Sequence, residues 1–158
     1  MASTADLFRR AYSSLQQGQF AEAERSFRQL LRKEPRQPAA LNLLAVVLVA
    51  QKKFAEAEPH LQSALKLNAT SDATFYNYGL VLKALGRPDE AVQRFTQAIA
   101  LNPGSADTWN ARGAALNDLN DPQAAVADFD RASSLNPNDP ATFFNKSRSF
   151  ATGRRCRS

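Results

Sequence analysis

Small and apolar residues return along this chain at a fixed interval. Ala23, Ala57, Ala91 and Ala125 stand 34 residues apart; Phe27, Leu61, Phe95 and Phe129 keep that interval, as do Leu30, Ala64, Ala98 and Ala132. Three columns in register through four copies constitute an internal repeat. Within each period the apolar residues fall three and four apart in two helix-length segments, the spacing of amphipathic helices. Phe75, Tyr78, Gly79 and Leu82 share one face of the first segment of the third period, and Ala91, Phe95, Ala98 and Ile99 share one face of the second. The pattern predicts helices over 4–17, 20–33, 38–51, 54–67, 72–85, 88–101, 106–119, 122–135 and 140–151.

The breaks between segments carry their own signals. Gly18 and Gly86 stand where a left-handed residue ends a helix, with Asn120 and, less comfortably, Lys52 at the equivalent places. Pro88 opens a helix at a position whose N–H has no intrahelical partner. Pro35, Pro103 and Pro137 close periods in one column, and Asp139 followed by Pro140 supplies an N-cap and a first-turn proline. Pro59 is the exception, falling about one turn inside a helix, where it is expected to kink or delay it.

With its period and columns in hand, the chain resembles the tetratricopeptide repeat family. Phe75, Tyr78, Gly79, Leu82, Ala91, Phe95, Ala98 and Pro103 occupy the signature columns of the third repeat, and Trp109, Gly113, Leu116, Ala125, Phe129, Ala132 and Pro137 those of the fourth. Leu41, Leu44, Ala45, Leu48, Ala57, Leu61 and Ala64 follow the pattern in the second, with Ala69 in place of proline. The first is weaker, with Leu7, Ala11, Ala23, Phe27 and Pro35. The resemblance implies an all-α, right-handed α-solenoid of stacked antiparallel helix hairpins. Its four 34-residue repeats are 4–37, 38–71, 72–105 and 106–139, and a partial repeat or capping helix over 140–151 completes an array spanning 4–151. Residues 152–158 are read as a basic flexible tail. No hairpin buries both of its apolar faces alone, so neighbouring repeats supply the core.

Charge changes the picture little once it is resolved by repeat. The net +5 hides a first repeat with seven basic and four acidic residues and a fourth with two basic and six acidic. The segment 140–158 holds five basic residues and no acidic one, three of them being Arg154, Arg155 and Arg157. The excess is thus assigned to a solvated end, and no specific nucleic-acid binding is expected. No apolar run is long enough to span a bilayer and Met1 to Phe8 lack the form of a secretory signal, so the expectation is a cytoplasmic protein without a membrane span. Cys156 has no cysteine partner within the chain.

Candidate chemistry is sparse. His60 is the sole histidine, no cysteine stands near it, and the glycines occur singly. Asp118, Asp121, Asp128 and Asp130 read as solvated helix faces and caps. The sequence is therefore read as non-enzymatic, with no catalytic residue, metal site or cofactor.

In the repeat family the first helix of each pair lines a concave groove that commonly holds a peptide. The resemblance places Phe8, Asn42, Tyr76, Asn110 and Phe144 on that surface, with Tyr12, Val46, Asn77, Leu80, Lys83, Asn117, Asn145 and Arg148 beside them. An amide both donates and accepts toward a peptide backbone, and an aromatic ring offers flat contact at little entropic cost. The implied function is a scaffold binding an extended peptide or protein segment. With helices about 8–10 Å apart and an extended chain rising about 3.3 Å per residue, a ligand of about eight to twelve residues crosses the array. Capture of acidic chaperone tails is argued down because Asn42, Leu43, Ala73, Tyr76, Asn77, Asp107, Asn110 and Ala111 stand where that subfamily needs positive charge. The repeats are also similar to those preceding the catalytic domain of O-linked N-acetylglucosamine transferases, so the alternative is a substrate-recruiting segment of a larger enzyme. A third reading is self-association through the C-terminal helix, along which Phe143, Phe144 and Phe150 are spaced and where Phe150 is expected to stay exposed.

Overall fold

The computed structural model describes residues 2–155, with side chains described through Phe150. Among these residues the secondary structure is helical and no strand occurs. The helices are α1 (Thr4–Gln16), α2 (Phe20–Lys33), α3 (Pro38–Ala50), α4 (Phe54–Leu67), α5 (Asp72–Ala84), α6 (Pro88–Leu101), α7 (Ala106–Asp118), α8 (Pro122–Leu135) and α9 (Pro140–Arg155). The first eight end within one residue of the pattern-based boundaries. α9 runs four residues further than expected, so helix covers much of the segment assigned to the tail, and Cys156 and Arg157 lie outside the described residues. Two compact units divide the chain, Met1–Val81 and Leu82–Ser158, with the boundary inside α5.

The turn within each hairpin is the same device four times over. Gly18, Lys52, Gly86 and Asn120 take φ values of 71°, 62°, 75° and 60°. The next residue's N–H then reaches back to a carbonyl in the last helical turn: Gln19 to Ser14, Lys53 to Leu48, Arg87 to Leu82 and Asp121 to Leu116, at 2.8–3.0 Å. This double-bonded ending satisfies carbonyls the helix would otherwise leave open. At the start of the first helices Ser3, Ser71, Ser105 and Asp139 accept from backbone N–H groups three residues on. Pro59 neither stops nor delays α4, which runs unbroken from Phe54 to Leu67. Its ring is exposed, and the helix tolerates the loss of one backbone bond because Ala57, Leu61 and Ala64 are anchored in the core.

In unit 1, α1 packs on α2, α2 on α3 and α3 on α4; in unit 2, α6 packs on α7, α7 on α8 and α8 on α9. Ala23, Ala57, Ala91 and Ala125 are fully buried, as are Phe27, Leu61, Phe95 and Phe129. The small column lets backbones approach and the large column fills the space beside it, each large side chain contributing about 1.5–3 kcal/mol of burial. Gly113 marks the tightest approach: a Cβ there would lie 2.7 Å from Phe129 Cε1. First helices also meet one another, α1 with α3 and α7 with α9. Each unit thus has one side on which first helices crowd together.

Candidate functional site

On the crowded side of unit 1, α1 presents Phe8 and Tyr12. Their rings stack with centroids 6.4 Å apart, and Phe8 is edge-on to the core Phe27 at 6.1 Å. Phe8 is therefore half core and half surface, whereas Tyr12 is 43% exposed. The next first helix brings Asn42 and Val46, and α5 brings Tyr76, Asn77 and Leu80, all half-buried. Asn77 Nδ2 donates to Asn42 Oδ1 at 3.0 Å. A cleft of about 310 Å³ opens beside this pair, lined by Pro38, Ala39, Asn42, Leu43, Asn68, Ser71 and Thr74.

Unit 2 repeats the arrangement. Asn145 Nδ2 on α9 donates to Asn110 Oδ1 on α7 at 3.1 Å. Asn117 accepts from Ser149 Oγ at 2.9 Å, and Lys83 Nζ pairs with Asp118 at 3.2 Å. Phe144 and Arg148 project from α9 as exposed side chains. The thirteen side chains expected on the first-helix surface therefore divide between the two units. The asparagines have a structural duty that column-by-column reading missed, since each amide clasps one in the adjacent first helix. The signal was present in the separation of 35 residues, one period plus one position, which joins neighbouring helices at the same height. One amide hydrogen and one carbonyl lone pair per pair are consumed, and all four side chains remain half-buried.

Some expectations about polar residues need correction. Ser149, a polar residue of the last helix, is buried. Asp128, read as a solvated face, is buried too, held by Arg112 through two bonds of 2.7 Å. Arg112 also donates to Thr96 Oγ1 at 3.1 Å and lies 4.9 Å from the Trp109 ring centroid. Asp121 does cap, accepting from Ala124 N at 3.1 Å. A further column escaped sequence reading: Thr74, Thr108 and Thr142 are buried, each donating its hydroxyl to the capping Ser71, Ser105 or Asp139. The hydrogen bond from Thr142, with those from the Ala141 and Thr142 backbone, holds the Asp139 carboxyl below its ordinary pKa.

His60 is half-buried in α4. Burial, then the positive charge of Arg28, pushes its pKa below the ordinary value, and Glu56 opposes this in part. Among the described residues no three His, Cys, Asp or Glu side chains gather as a metal site, and no helix is long and apolar enough to cross a membrane.

Residues 8–72 and 76–140 match a family model described as tetratricopeptide repeat. Among solved structures, the chain is similar to the MamA protein at 19% identity, with a TM-score of 0.86, over 95% of this chain and 82% of that one. It is similar to YrrB, described as a TPR protein with an unusual peptide-binding site, at 23% identity and a TM-score of 0.84, over 92% of this chain and 75% of that one. It is also similar to a thermophilic TPR protein of Thermus thermophilus, at 20% identity and a TM-score of 0.77, over 94% and 82% of the two chains. No curated protein sequence matches. The fold class is accordingly an all-α solenoid of helix hairpins.

Proposed function

Because the chain belongs to the tetratricopeptide repeat family, we propose that it is a non-enzymatic scaffold whose first-helix surface binds an extended peptide or protein segment. The observation that carries this reading is Asn42, which lines the 310 Å³ cleft while its carbonyl is held by the Asn77 amide of the next first helix. The Asn42 side chain is pre-oriented by this bond, so a backbone laid along the cleft meets an amide that needs no further ordering. Tyr12, Tyr76, Val46 and Leu80 offer apolar contact on the same helices, and Asn110, Asn145 and Phe144 give unit 2 a comparable set. Service as the recruiting segment of a larger enzyme would use this same surface.

Affinity capture with the wild-type chain and with Y76A/N110A, followed by titration of synthetic peptides from whatever is captured, tests the proposal. The double variant is expected to bind at least tenfold more weakly with unchanged helicity by circular dichroism. Equal affinity would remove the groove assignment.

A second reading is favoured by α9, on which Phe143, Phe144 and Phe150 are 76%, 63% and 49% exposed. Apolar surface of that extent suits the α9 of another copy. Light scattering over a concentration series should then give a mass that rises toward a dimer, and a strictly monomeric mass would sink the idea.

A further inference from the structure

Unit 1 carries a second surface, built mainly on α2. A cleft of about 480 Å³ lies between α2 and the turn joining α3 to α4, lined by Ala21, Glu24, Arg25, Arg28, Gln29, Arg32, Gln51 and Lys53. The α2 residues among them are spaced three and four apart, so they form one stripe along the helix. At 1.5 Å rise per residue the stripe is about 16 Å long.

Glu24 lies on the floor. Its carboxylate is held by Arg28 Nη1 at 2.5 Å, by Lys53 Nζ at 2.9 Å and by the Gln51 amide at 2.8 Å. Arg28 and Lys53 line the cleft with donors to spare: a guanidinium has five N–H groups, and Arg28 uses one on Glu24 and one on Glu56. Arg25 makes a single ion pair with Glu22, and Arg32 is exposed with none among the described residues. Four cations thus border the cleft against Glu24 within it and Glu22 and Glu56 at its edge, and the walls add two side-chain amides.

Nothing in the repeat requires this composition. One period on, the positions of Arg25, Arg28 and Arg32 hold Pro59, Gln62 and Lys66; two periods on, Gln93, Thr96 and Ala100; three on, Ala127, Asp130 and Ser134. The core columns persist through all four copies while this stripe is cationic in the first alone.

We propose that the α2 cleft docks an acidic protein segment in extended form, with carboxylates at alternate positions. Alternate side chains of an extended strand share a face about 6.6 Å apart. Arg28 and Arg32 are separated by about 6 Å of helix rise, so two successive carboxylates meet these two guanidiniums, with Arg25 about 4.5 Å further along the helix. A segment of about five residues covers the stripe, and bidentate carboxylate pairing suits arginine better than lysine. The site is distinct from the first-helix surface and stands independently of it.

The test is fluorescence anisotropy with a labelled peptide of about eight residues alternating aspartate and serine, titrated with the full chain at low salt. The expected result is saturable binding that weakens as salt rises. R25Q/R32Q should lower affinity at least tenfold with an unchanged circular dichroism spectrum, and Y76A/N110A should leave it unaltered. The proposal is overturned by absence of binding, by equal affinity of R25Q/R32Q, or by an equal loss in Y76A/N110A, which would move the peptide to the first-helix surface. It is also overturned if the same aspartates placed consecutively, or single-stranded DNA of equal charge, bind as tightly.

Discussion

Arg112 illustrates how much one side chain can hold: it grips Asp128 at two points, donates to Thr96 and lies over Trp109. Removing it leaves a carboxylate buried without its counter-charge, so R112A is expected to cost about 3–5 kcal/mol in denaturant unfolding. R112K, which keeps the charge but loses the two-point grip, should recover only part of that loss. One position along, G113A drives a methyl into Phe129 and should cost about 1–3 kcal/mol, since an aromatic ring packed on all sides cannot retreat. Gly113 was legible in the sequence because its column holds only Ala and Gly through the four full repeats. Asp128 was not, because a carboxylate between Ala127 and Phe129 gives no sign of the arginine sixteen residues earlier that makes its burial possible. Pairwise satisfaction of polar groups is non-local, and the same blindness hid the clasped asparagines.

Helix boundaries, by contrast, were almost fully readable, because the residues that end a helix act through their own backbone. Gly18 and Gly86 adopt the left-handed turn without a steric cost; Lys52 adopts it at φ 62° with one. K52G should therefore raise stability by about 0.5–1 kcal/mol, while G86A should lower it by about 1 kcal/mol, both read as shifts in the denaturant midpoint. Opposite signs from the same turn in two hairpins would confirm that conformation, not contact, is responsible, as no atom lies within 4 Å of a Cβ built at Gly86. Pro59 does not delay α4, for an energetic reason. The loss of one hydrogen bond on an exposed face is outweighed by the burial of Ala57, Leu61 and Ala64 on the other.

Across the whole molecule, charge and repetition set the behaviour. Burial disfavours the ionised form of Glu24, yet bonds from Lys53 and Gln51 and the charge of Arg28 more than compensate and lower its pKa. A carboxyl with a depressed folded pKa stabilises the fold above its unfolded value and ceases to do so as pH falls through the folded one. Urea midpoints measured from pH 6 down to pH 3 should therefore decline, and E24Q should flatten that decline. E24Q and G113A sit in different repeats and share no partner, so their effects on stability should add. The fold class was legible because a 34-residue period admits few architectures. The cationic stripe on α2 was overlooked because charges summed by repeat conceal which face they share. The asparagine clasps have one more implication. Asn42 and Asn77 recur as Asn110 and Asn145 two periods later, and Phe8, Tyr76 and Phe144 keep the same double step. Growth or shrinkage by a recombination event that moves two hairpins at once preserves every clasp, whereas an event that moves one breaks the alternation. The unit that carries one complete clasp and the alternation around it is thus the pair of hairpins.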